Sequence, residues 1–391
     1  MNYDIPKLTR YLYFKDEVCL SLINALLRNK ELNECLFWTS ELYYSGYYTE
    51  TWHILWKIYY DFYAIKSPKL EKFIINIYKK WRENQDISYI LSVVKNFHSN
   101  ATASPEVFCM RSLIKIQKKK VAPLNRQHLP RDFKYNIKYR NLLYAIHRKD
   151  YNNLAFYIQK YHNMEGDIYC AIISYFKDVH GIPFKNIEMA KKRLESHPYK
   201  DKIHIIISLI FHCYTPGKEI IQRNIIIRAS ADNIIFIKDL NTITIKPLYK
   251  TLQFKRLYGI SDKIGCFQLD RYNPKYPEAN KLFWYHWEYF AYHSPLWRKR
   301  FEKYSIEINH KTWEITFNNV DEEEEFHEIY NYEPDEQSKE IQEKSIATYP
   351  ELTIGKWLKE IFCDNTIEEQ LSSLTLNESI IGLVSDALHG Y

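Results

Sequence analysis

The spacing of apolar residues along the chain predicts a mainly helical protein. In the first hundred residues, large apolar side chains recur about one helical turn apart, as at Val18, Leu22 and Leu26. Two further runs of this kind cover residues 32–42 and 52–62, and the second of them is rich in tryptophan and tyrosine. Short polar breaks separate the runs, so we expect antiparallel helices joined by short loops.

Two segments of the chain resemble each other. Residues 24–38 align with residues 144–157 when one gap is allowed, and both have the pattern of a helix, a charged turn and a second helix. A solenoid stacks three or more regular repeats, whereas these two copies are irregularly spaced. The pattern predicts antiparallel helix hairpins, solenoid-like in the N-terminal half. It leaves open whether a hairpin was duplicated or the two arose independently.

The periodicity changes near residue 220. Short β-branched runs separated by polar residues lie at 220–221, 225–227, 234–237 and 243–245. Because β-branched side chains favour the extended backbone, these runs predict a small β-containing insert near 220–255. Farther along the chain, the loose alternation of apolar and polar residues from Glu307 to Phe317 is compatible with a β-hairpin.

These changes of pattern predict three domains. We expect an N-terminal helical domain at 1–120, whose last helix begins at Ser104-Pro105-Glu106 with a capping serine and a proline at the first helical position. After a basic linker, residues 121–218 are expected to form a second helical domain. Residues 219–391 are expected to form a mixed C-terminal domain with an aromatic helix and acidic loops.

The charge of the chain is unevenly distributed. Residues 301–391 hold 21 Asp and Glu against 6 Lys and Arg, whereas residues 101–150 hold 12 Lys and Arg against 3 Asp and Glu. A basic strip in the second region predicts a polyanion-binding site, because clustered cations release counterions from a phosphate backbone. The strip consists of Lys115, Lys118, Lys119, Lys120, Arg126, Arg131, Lys134, Lys138 and Arg140.

Three interpretations of the basic strip stay open at this point. The strip binds nucleic acid, with the interleaved His128, Phe133, Tyr135 and Tyr139 stacking on bases. Alternatively, it pairs with an acidic surface, either in the C-terminal part of the same chain or on a partner. In the third interpretation it is a solvated segment of a lysine-rich chain and has no specific role.

Composition places the chain among globular proteins. It is 46% hydrophobic and 26% charged, and its 7 cysteines lie far apart without a C-x-x-C pair. This cysteine pattern predicts reduced thiols in a cytosol-like compartment. The longest apolar run, at 203–214, contains His204 and His212 and is too short to span a bilayer. We therefore expect no membrane association, and we expect both histidines to be hydrogen-bonded core residues.

The sequence predicts neither an enzyme nor a cofactor site. Its 9 glycines form no dinucleotide-binding or P-loop motif, and the chain has no G-x-S-x-G or H-E-x-x-H pattern. His286 and His293 are spaced to share a helix face near Glu288, but two histidines do not make a metal site, so core or interface roles are expected. The acidic tracts 321–325 and 333–336 lack EF-hand spacing and predict solvated loops.

Several short segments, most of them aromatic, lie in order along the chain. They are FWTSELYYSG at 37–46, WKIYYDFY at 56–63, PLYKTL at 247–252, RLYGI at 256–260, HWEYFA at 286–291, SPLW at 294–297 and YEPDEQ at 332–337. In these segments the chain resembles a family of uncharacterised proteins from nucleocytoplasmic large DNA viruses. The resemblance implies a viral product and supplies no activity or catalytic residue. The excess of Lys, Ile, Asn and Tyr is what AT-rich codons produce, and it fits such a genome.

Two functional hypotheses follow. The first is a non-enzymatic structural or protein-interaction component of a large DNA virus, related to the virion or its assembly, whose aromatic surfaces bind a viral or host protein. Its expected location is the host cytoplasm, in the viral factory, or the virion. The alternative is a nucleic-acid-associated accessory factor of viral transcription, replication or genome packaging. That factor would use the basic strip together with Trp297-Arg298-Lys299-Arg300.

Overall fold

Helices account for most of the chain that the computed structural model describes, namely residues 5–116, 137–161, 164–183, 187–214, 226–240, 260–269, 285–330 and 352–362. The predicted mainly helical fold is thereby confirmed. The helices are α1 Lys15–Leu27, α2 Leu32–Tyr44, α3 Tyr48–Ile58, α4 Leu70–Asn84, α5 Ile87–Asn100, α6 Glu106–Ile116, α7 Arg140–Arg148, α8 Tyr151–Lys160, α9 Glu165–His180, α10 Ile187–Glu195, α11 Lys202–Tyr214, α12 Ala231–Leu240, α13 Trp287–Tyr292, α14 Pro295–Phe301, α15 Val320–Tyr330 and α16 Ile354–Phe362.

The predicted hairpin between Glu307 and Phe317 is confirmed. Strands β1 (Ile306–Asn309) and β2 (Glu314–Phe317) pair antiparallel, with Ile306 opposite Phe317 and Ile308 opposite Ile315. The alternating pattern places these four apolar side chains on one face, where they pack on an aromatic core. In the described part of the chain, this hairpin is the small antiparallel sheet of the fold.

The prediction of a strand at residues 234–237 is wrong, because this run belongs to helix α12. Ser230 precedes the helix and exchanges hydrogen bonds with Asn233, whose Oδ1 accepts from the Ser230 amide at 3.1 Å. This local capping pair starts the helix and outweighs the β propensity of the isoleucines. Residues 226–230 are irregular, and the expected strands at 220–221 and 243–245 lie outside the described residues.

The two segments that resemble each other have the same turn. In each hairpin a non-glycine residue adopts a left-handed conformation after the first helix: Asn29 has φ 48° and Lys149 has φ 54°. The next amide reaches back five residues in both cases, from Lys30 to the Ala25 carbonyl and from Asp150 to the Ala145 carbonyl, each at 2.9 Å. This is the pattern of a Schellman-type helix end, so both copies of the predicted helix hairpin are confirmed.

Contacts divide the described residues into two compact units. The first unit consists of the described residues within Met1–Ile54, Ile77–Ser99 and Ile226–Leu352. The second consists of those within Leu55–Asn76, Asn100–Ile225 and Thr353–Tyr391. Each unit is thus built from separate stretches of chain. The contiguous division at residues 120 and 218 stays a prediction.

The first unit has an aromatic core near the β-hairpin. Helices α13, α14 and α15 place Trp287, Trp297, Phe301 and Phe326 against the buried face of the hairpin, and the rings of Phe301 and Phe326 stack at 4.5 Å. The N-terminal segment joins this core, since the indole N–H of Trp297 donates to the Thr9 carbonyl at 3.0 Å. The burial of several large rings gives this cluster hydrophobic stabilisation.

The second unit is built around a turn of π-helix, Tyr59–Tyr63, that continues α3. Helices α6 and α11 both pack against this turn. Helix α6 begins at the predicted Ser104-Pro105-Glu106 start, and its Phe108 stacks on Phe62 at 5.3 Å. Trp357 of α16 packs on both of these rings, and Phe362 of the same helix stacks on Phe62.

Aromatic side chains are mostly core residues. Among the described residues, Tyr48 and Tyr285 are the aromatic side chains that rank as exposed, whereas Trp38, Trp52, Trp56, Trp297 and Trp357 are fully buried. The aromatic-rich composition therefore supports packing. The aromatic surface expected from composition is not found in the described part of the chain.

Gly46 lies where a side chain does not fit. It has φ +87° just after α2, and a Cβ atom on it would lie 2.8 Å from Cβ of Pro295. We expect Gly46→Ala to lower the free energy of unfolding by about 2–4 kcal/mol, because it adds a steric overlap to an unfavourable left-handed backbone. Chemical denaturation at neutral pH measures this loss.

Gly181→Ala is the matched control. Gly181 also has a positive φ, +66°, but a Cβ atom there would meet no atom within 4 Å. This variant carries backbone strain alone and is expected to lose about 1 kcal/mol. Equal losses in the two variants would show that contact with Pro295 does not decide the residue at position 46.

Candidate functional site

A cavity of about 480 Å³ opens in the second unit. We call it the unit-two cavity. Its size is within the range of small-ligand pockets in proteins, roughly 300–1,000 Å³. Most of the wall is apolar, and a few polar side chains converge on it. The lining residues are Tyr59, Tyr60, Ala64, Pro68, Glu71, Tyr169, Ile173, Met189, Ala190, Arg193, Ile205, Ser208, Leu209 and His212.

The π-helical turn supplies the buried side of the unit-two cavity. An extra residue per turn rotates the side chains away from α-helical spacing, so Tyr59 and Tyr60 both reach the cavity. The Tyr59 hydroxyl donates to the carbonyls of Ser67 and Pro68, each at 3.3 Å, and so holds the loop that leads into α4. Tyr60 instead begins a hydrogen-bonded chain toward Glu71.

This hydrogen-bonded chain has a defined direction. The amide N–H of Tyr199 donates to Nδ1 of His197 at 3.1 Å, so a neutral His197 carries its proton on Nε2. Nε2 lies 3.0 Å from the Tyr60 hydroxyl, which donates to Oε1 of Glu71 at 2.8 Å. The second carboxylate oxygen of Glu71 accepts from the Arg193 guanidinium at the rim.

Aromatic rings hold the inner members of this chain in place. The ring of Tyr60 stacks on that of Tyr199 at 5.5 Å with an interplanar angle of 16°, and on that of Trp56 at 6.1 Å. The His197 ring meets Trp56 edge-on at 4.9 Å. The four rings fix the orientation of the Tyr60 hydroxyl, so Glu71 is held by a rigid donor rather than by a mobile one.

A buried ion pair lies next to the stacked rings. Asp61, 1% exposed, accepts from Arg111, 6% exposed, through two bonds of 3.0 and 2.8 Å. Close by, the Tyr199 hydroxyl lies 2.6 Å from Nδ1 of His204. Burial would raise the pKa of Asp61, but the Arg111 guanidinium outweighs it and the pKa is lowered. Asp61 is therefore a carboxylate at neutral pH.

Burial sets the protonation of the other groups around the unit-two cavity. It lowers the pKa of the His197 imidazole to about 3, and the positive charges of Lys202 and Arg193 act in the same direction. Burial also raises the pKa of Tyr60 well above its usual range and that of Tyr169 to about 12, with the Glu71 charge adding to both. At neutral pH the histidine and both tyrosines are therefore uncharged.

The arrangement is suited to binding. The nearby Cys213 thiol has its pKa raised to about 12 by burial and is a poor nucleophile, while the Ser208 hydroxyl donates to the Ile205 carbonyl. Within the described residues no group of three or more His, Cys, Asp and Glu could hold a metal ion. His212 and the partly exposed Arg193 can still hydrogen-bond a guest, and the apolar walls can cover its body.

The structure describes three members of the predicted basic strip. Lys115 lies near the end of α6, Lys138 in the short 3₁₀ turn Ile137–Tyr139, and Arg140 at the start of α7; all three are exposed. Lys118, Lys119, Lys120, Arg126, Arg131 and Lys134 lie outside the described residues, as do His128, Phe133 and Tyr135. Tyr139 is 1% exposed, so it cannot stack on bases as proposed.

The histidines of the first unit do not form a shared site. His286 and His293 flank the short helix α13 instead of sharing a face of it, because Ser294-Pro295 starts a new helix directly afterwards. Tyr289 bonds His310 at 3.0 Å, and Glu288 lies 3.7 Å from Nε2 of His327.

Both histidines of α11 are hydrogen-bonded, and the predicted core position holds for His204. His204 is 4% exposed and bonded to Tyr199, as expected. His212 reaches the Ile65 carbonyl at 3.3 Å and also lines the unit-two cavity.

The cluster Trp297-Arg298-Lys299-Arg300 is only partly available to a nucleic acid. Trp297 is 1% exposed, and the guanidinium of Arg300 lies between two rings, 4.3 Å from that of Trp297 and 4.5 Å from that of Tyr330. Burial lowers the pKa of Arg300 to about 10. Arg298 and Lys299 are exposed. Of the four proposed contacts, Trp297 is thus part of the core and Arg300 is half-buried against two rings.

No family model, no curated protein and no solved structure significantly matches the chain. In the described stretches, no helix has both the length and the apolar character needed to cross a bilayer.

The ion pair at Asp61 yields a first prediction for the second unit. We expect Asp61→Asn to lower the free energy of unfolding by about 3–5 kcal/mol, because it leaves the Arg111 charge buried without its partner. Urea denaturation at neutral pH measures the loss. Asp167→Asn, which breaks an exposed pair with Lys191, is the control and is expected to behave like the wild type. A wild-type stability in both variants would contradict the assigned role of Asp61.

The lowered pKa of His197 predicts a loss of stability in acid. The unfolded chain binds a proton at this position below pH about 6.5, whereas the folded chain resists it down to about pH 3. The stability due to neutral His197 is therefore complete above pH 6.5 and falls by about 1.4 kcal/mol per pH unit below it. In His197→Asn, whose amide oxygen can still accept from Tyr199, we expect a shallower fall between pH 6.5 and 4.5.

The measurement is urea denaturation at several pH values in that range. His53→Asn serves as the control, since His53 is exposed and its replacement is expected to keep the wild-type slope. Identical slopes in wild type and His197→Asn would refute the neutral assignment of His197.

Proposed function

We propose that the chain is a non-enzymatic protein-interaction component of a nucleocytoplasmic large DNA virus, and that the unit-two cavity binds an apolar side chain of a protein partner. The observation that carries the proposal is the cavity itself. Its wall is largely apolar, and the inner polar groups Tyr60, His197 and Glu71 are bonded to one another. Such a site gains free energy from burying a guest and offers no activated group to react with it.

The rim favours a protein partner over a small metabolite. Met189 belongs to the cavity lining and is 68% exposed, so apolar surface continues outside the cavity. Arg193 stands at the same rim with a 59% exposed side chain. A guest anchored in the cavity and continued by a peptide backbone could cover Met189 and bond Arg193.

We assign recognition of the protein partner to the unit-two cavity and not to exposed aromatic surfaces. Most tryptophans and about half of the tyrosines of the described residues are buried, so much of the contact area expected from composition is used in packing. One apolar anchor entering a preformed pocket is a common way for an interface to concentrate its binding energy. The proposed partner therefore presents an aromatic or long aliphatic residue.

The viral setting rests on the short segments quoted above and on the codon preference. We place the protein in the viral factory of the host cytoplasm or in the particle, as a virion or assembly component. Mass spectrometry of purified particles from a virus that encodes the chain would test the second location.

Filling the unit-two cavity tests its role. We expect Ala190→Phe to weaken partner binding, because the added ring occupies space that the guest needs. The wild-type chain is used to select short random peptides displayed on phage, and the selected peptides are then measured by fluorescence anisotropy. We expect the enriched peptides to share an aromatic or aliphatic anchor and to bind Ala190→Phe at least about tenfold more weakly.

Lys192→Phe is the matched control. It introduces the same side chain on the same helix, at an exposed position that does not line the cavity. Peptides that bind all three proteins equally would show that the cavity is not the site. Failure of the wild-type chain to enrich any peptide would also count against the proposal.

A further inference from the structure

The α7–α8 hairpin carries a concentrated positive charge. Residues 137–161 hold five Lys and Arg and a single acidic residue, Asp150. The Asp150 side chain caps α8, with Oδ1 accepting from the Asn153 amide at 3.0 Å, so its charge is directed at the helix end. The exposed cations are Lys138, Arg140, Arg148, Lys149 and Lys160, and His147 is exposed beside them.

These cations form two groups at opposite ends of the hairpin. The tight turn at Lys149 makes the helices antiparallel, which brings the end of α8 next to the start of α7. The Tyr161 hydroxyl donates to the Lys138 carbonyl at 2.9 Å and confirms this placement. Lys138, Arg140 and Lys160 therefore make up one group, and Arg148 and Lys149 lie at the turn with His147.

The separation of the two groups matches a DNA groove. Helix α7 has 9 residues, so at 1.5 Å per residue the two ends are about 13 Å apart. The major groove of B-form DNA is about 12 Å wide. Arg140 and Arg148 are eight residues apart on α7 and fall in one stripe of the helix surface, so cations at both ends can face the same duplex.

Tyrosines under the cations favour a duplex over a single strand. Four cations lie over tyrosine rings at 5.2–5.7 Å: Lys138 over Tyr139, Arg148 over Tyr144, Lys149 over Tyr214 and Lys160 over Tyr161. Tyr139 and Tyr144 are buried. The rings hold the charged groups at the surface, but the buried ones cannot stack on unpaired bases. The surface can therefore contact phosphates and has little means of reading bases.

We propose that the α7–α8 hairpin binds the phosphate backbone of double-stranded DNA without sequence preference, with its two cationic ends contacting phosphates on either side of one major groove. The binding is expected to weaken steeply with salt, because each neutralised phosphate releases condensed counterions.

Fluorescence anisotropy with a labelled DNA duplex of about 20 base pairs tests the proposal between about 50 and 200 mM NaCl. We expect two unrelated duplex sequences to bind the full chain equally. Arg140→Gln, Arg148→Gln and Lys160→Gln combined are expected to weaken binding at least about tenfold and to reduce the salt slope by about 0.9 per removed cation. All three side chains are exposed, so circular dichroism is expected to show an unchanged fold.

The matched control removes three exposed cations from α4, as Lys79→Gln, Lys80→Gln and Arg82→Gln, which changes the net charge equally. It is expected to bind duplex DNA as the wild type does. An equal loss in the control would mean that overall charge, not the hairpin, drives binding. Tighter binding of a single strand of the same length would overturn the groove geometry. No duplex binding at 50 mM NaCl would overturn the proposal and leave an acidic protein surface as the partner.

Discussion

The bidentate ion pair between Asp61 and Arg111 is the interaction on which the second unit depends. A carboxylate with 1% exposure is tolerated only when it is fully paired, so Arg111 fixes where α6 can lie against the π-helical turn. With that turn in place, the preceding residue, Tyr60, faces Glu71 and His197. The unit-two cavity is thus a consequence of burying one charge in an aromatic helix.

The direction of the hydrogen-bonded chain explains why the cavity suits binding. Protonating His197 on Nδ1 would remove the acceptor of the Tyr199 amide and place a cation among aromatic rings. Burial opposes that charge, so the imidazole stays neutral and donates through Nε2. Glu71 then has one oxygen bonded to Tyr60 and one to Arg193. A carboxylate with both oxygens engaged in this way is a positioning group for Arg193.

Local signals in the sequence predict local structure, but they do not predict contacts between residues that are far apart in the chain. The two helix hairpins and the β1–β2 hairpin follow from periodicity, because each is closed by contacts between near neighbours in the chain. The run at 234–237 is helical and not extended, because the Ser230–Asn233 capping pair outweighs the β propensity of its isoleucines. Tyr60 and His197 are 137 residues apart, and no spacing rule connects them. The signal that could have pointed to the site was Asp61, an acidic residue inside an aromatic run, which needs a buried partner.

Tyrosine occupies many core positions in this chain, and these tyrosines affect which charged side chains are held at the surface. A buried tyrosine needs a partner for its hydroxyl, and the backbone supplies it: Tyr47 donates to the Leu8 carbonyl at 2.9 Å and Tyr214 to that of Ile146 at 2.7 Å. The ring faces that remain near the surface attract cations, as Tyr214 attracts Lys149. Tyrosine rings at the edge of the core therefore hold cationic side chains in fixed positions at the surface. For that reason the α7–α8 hairpin can present its cations at fixed positions, which a flexible lysine-rich loop could not do.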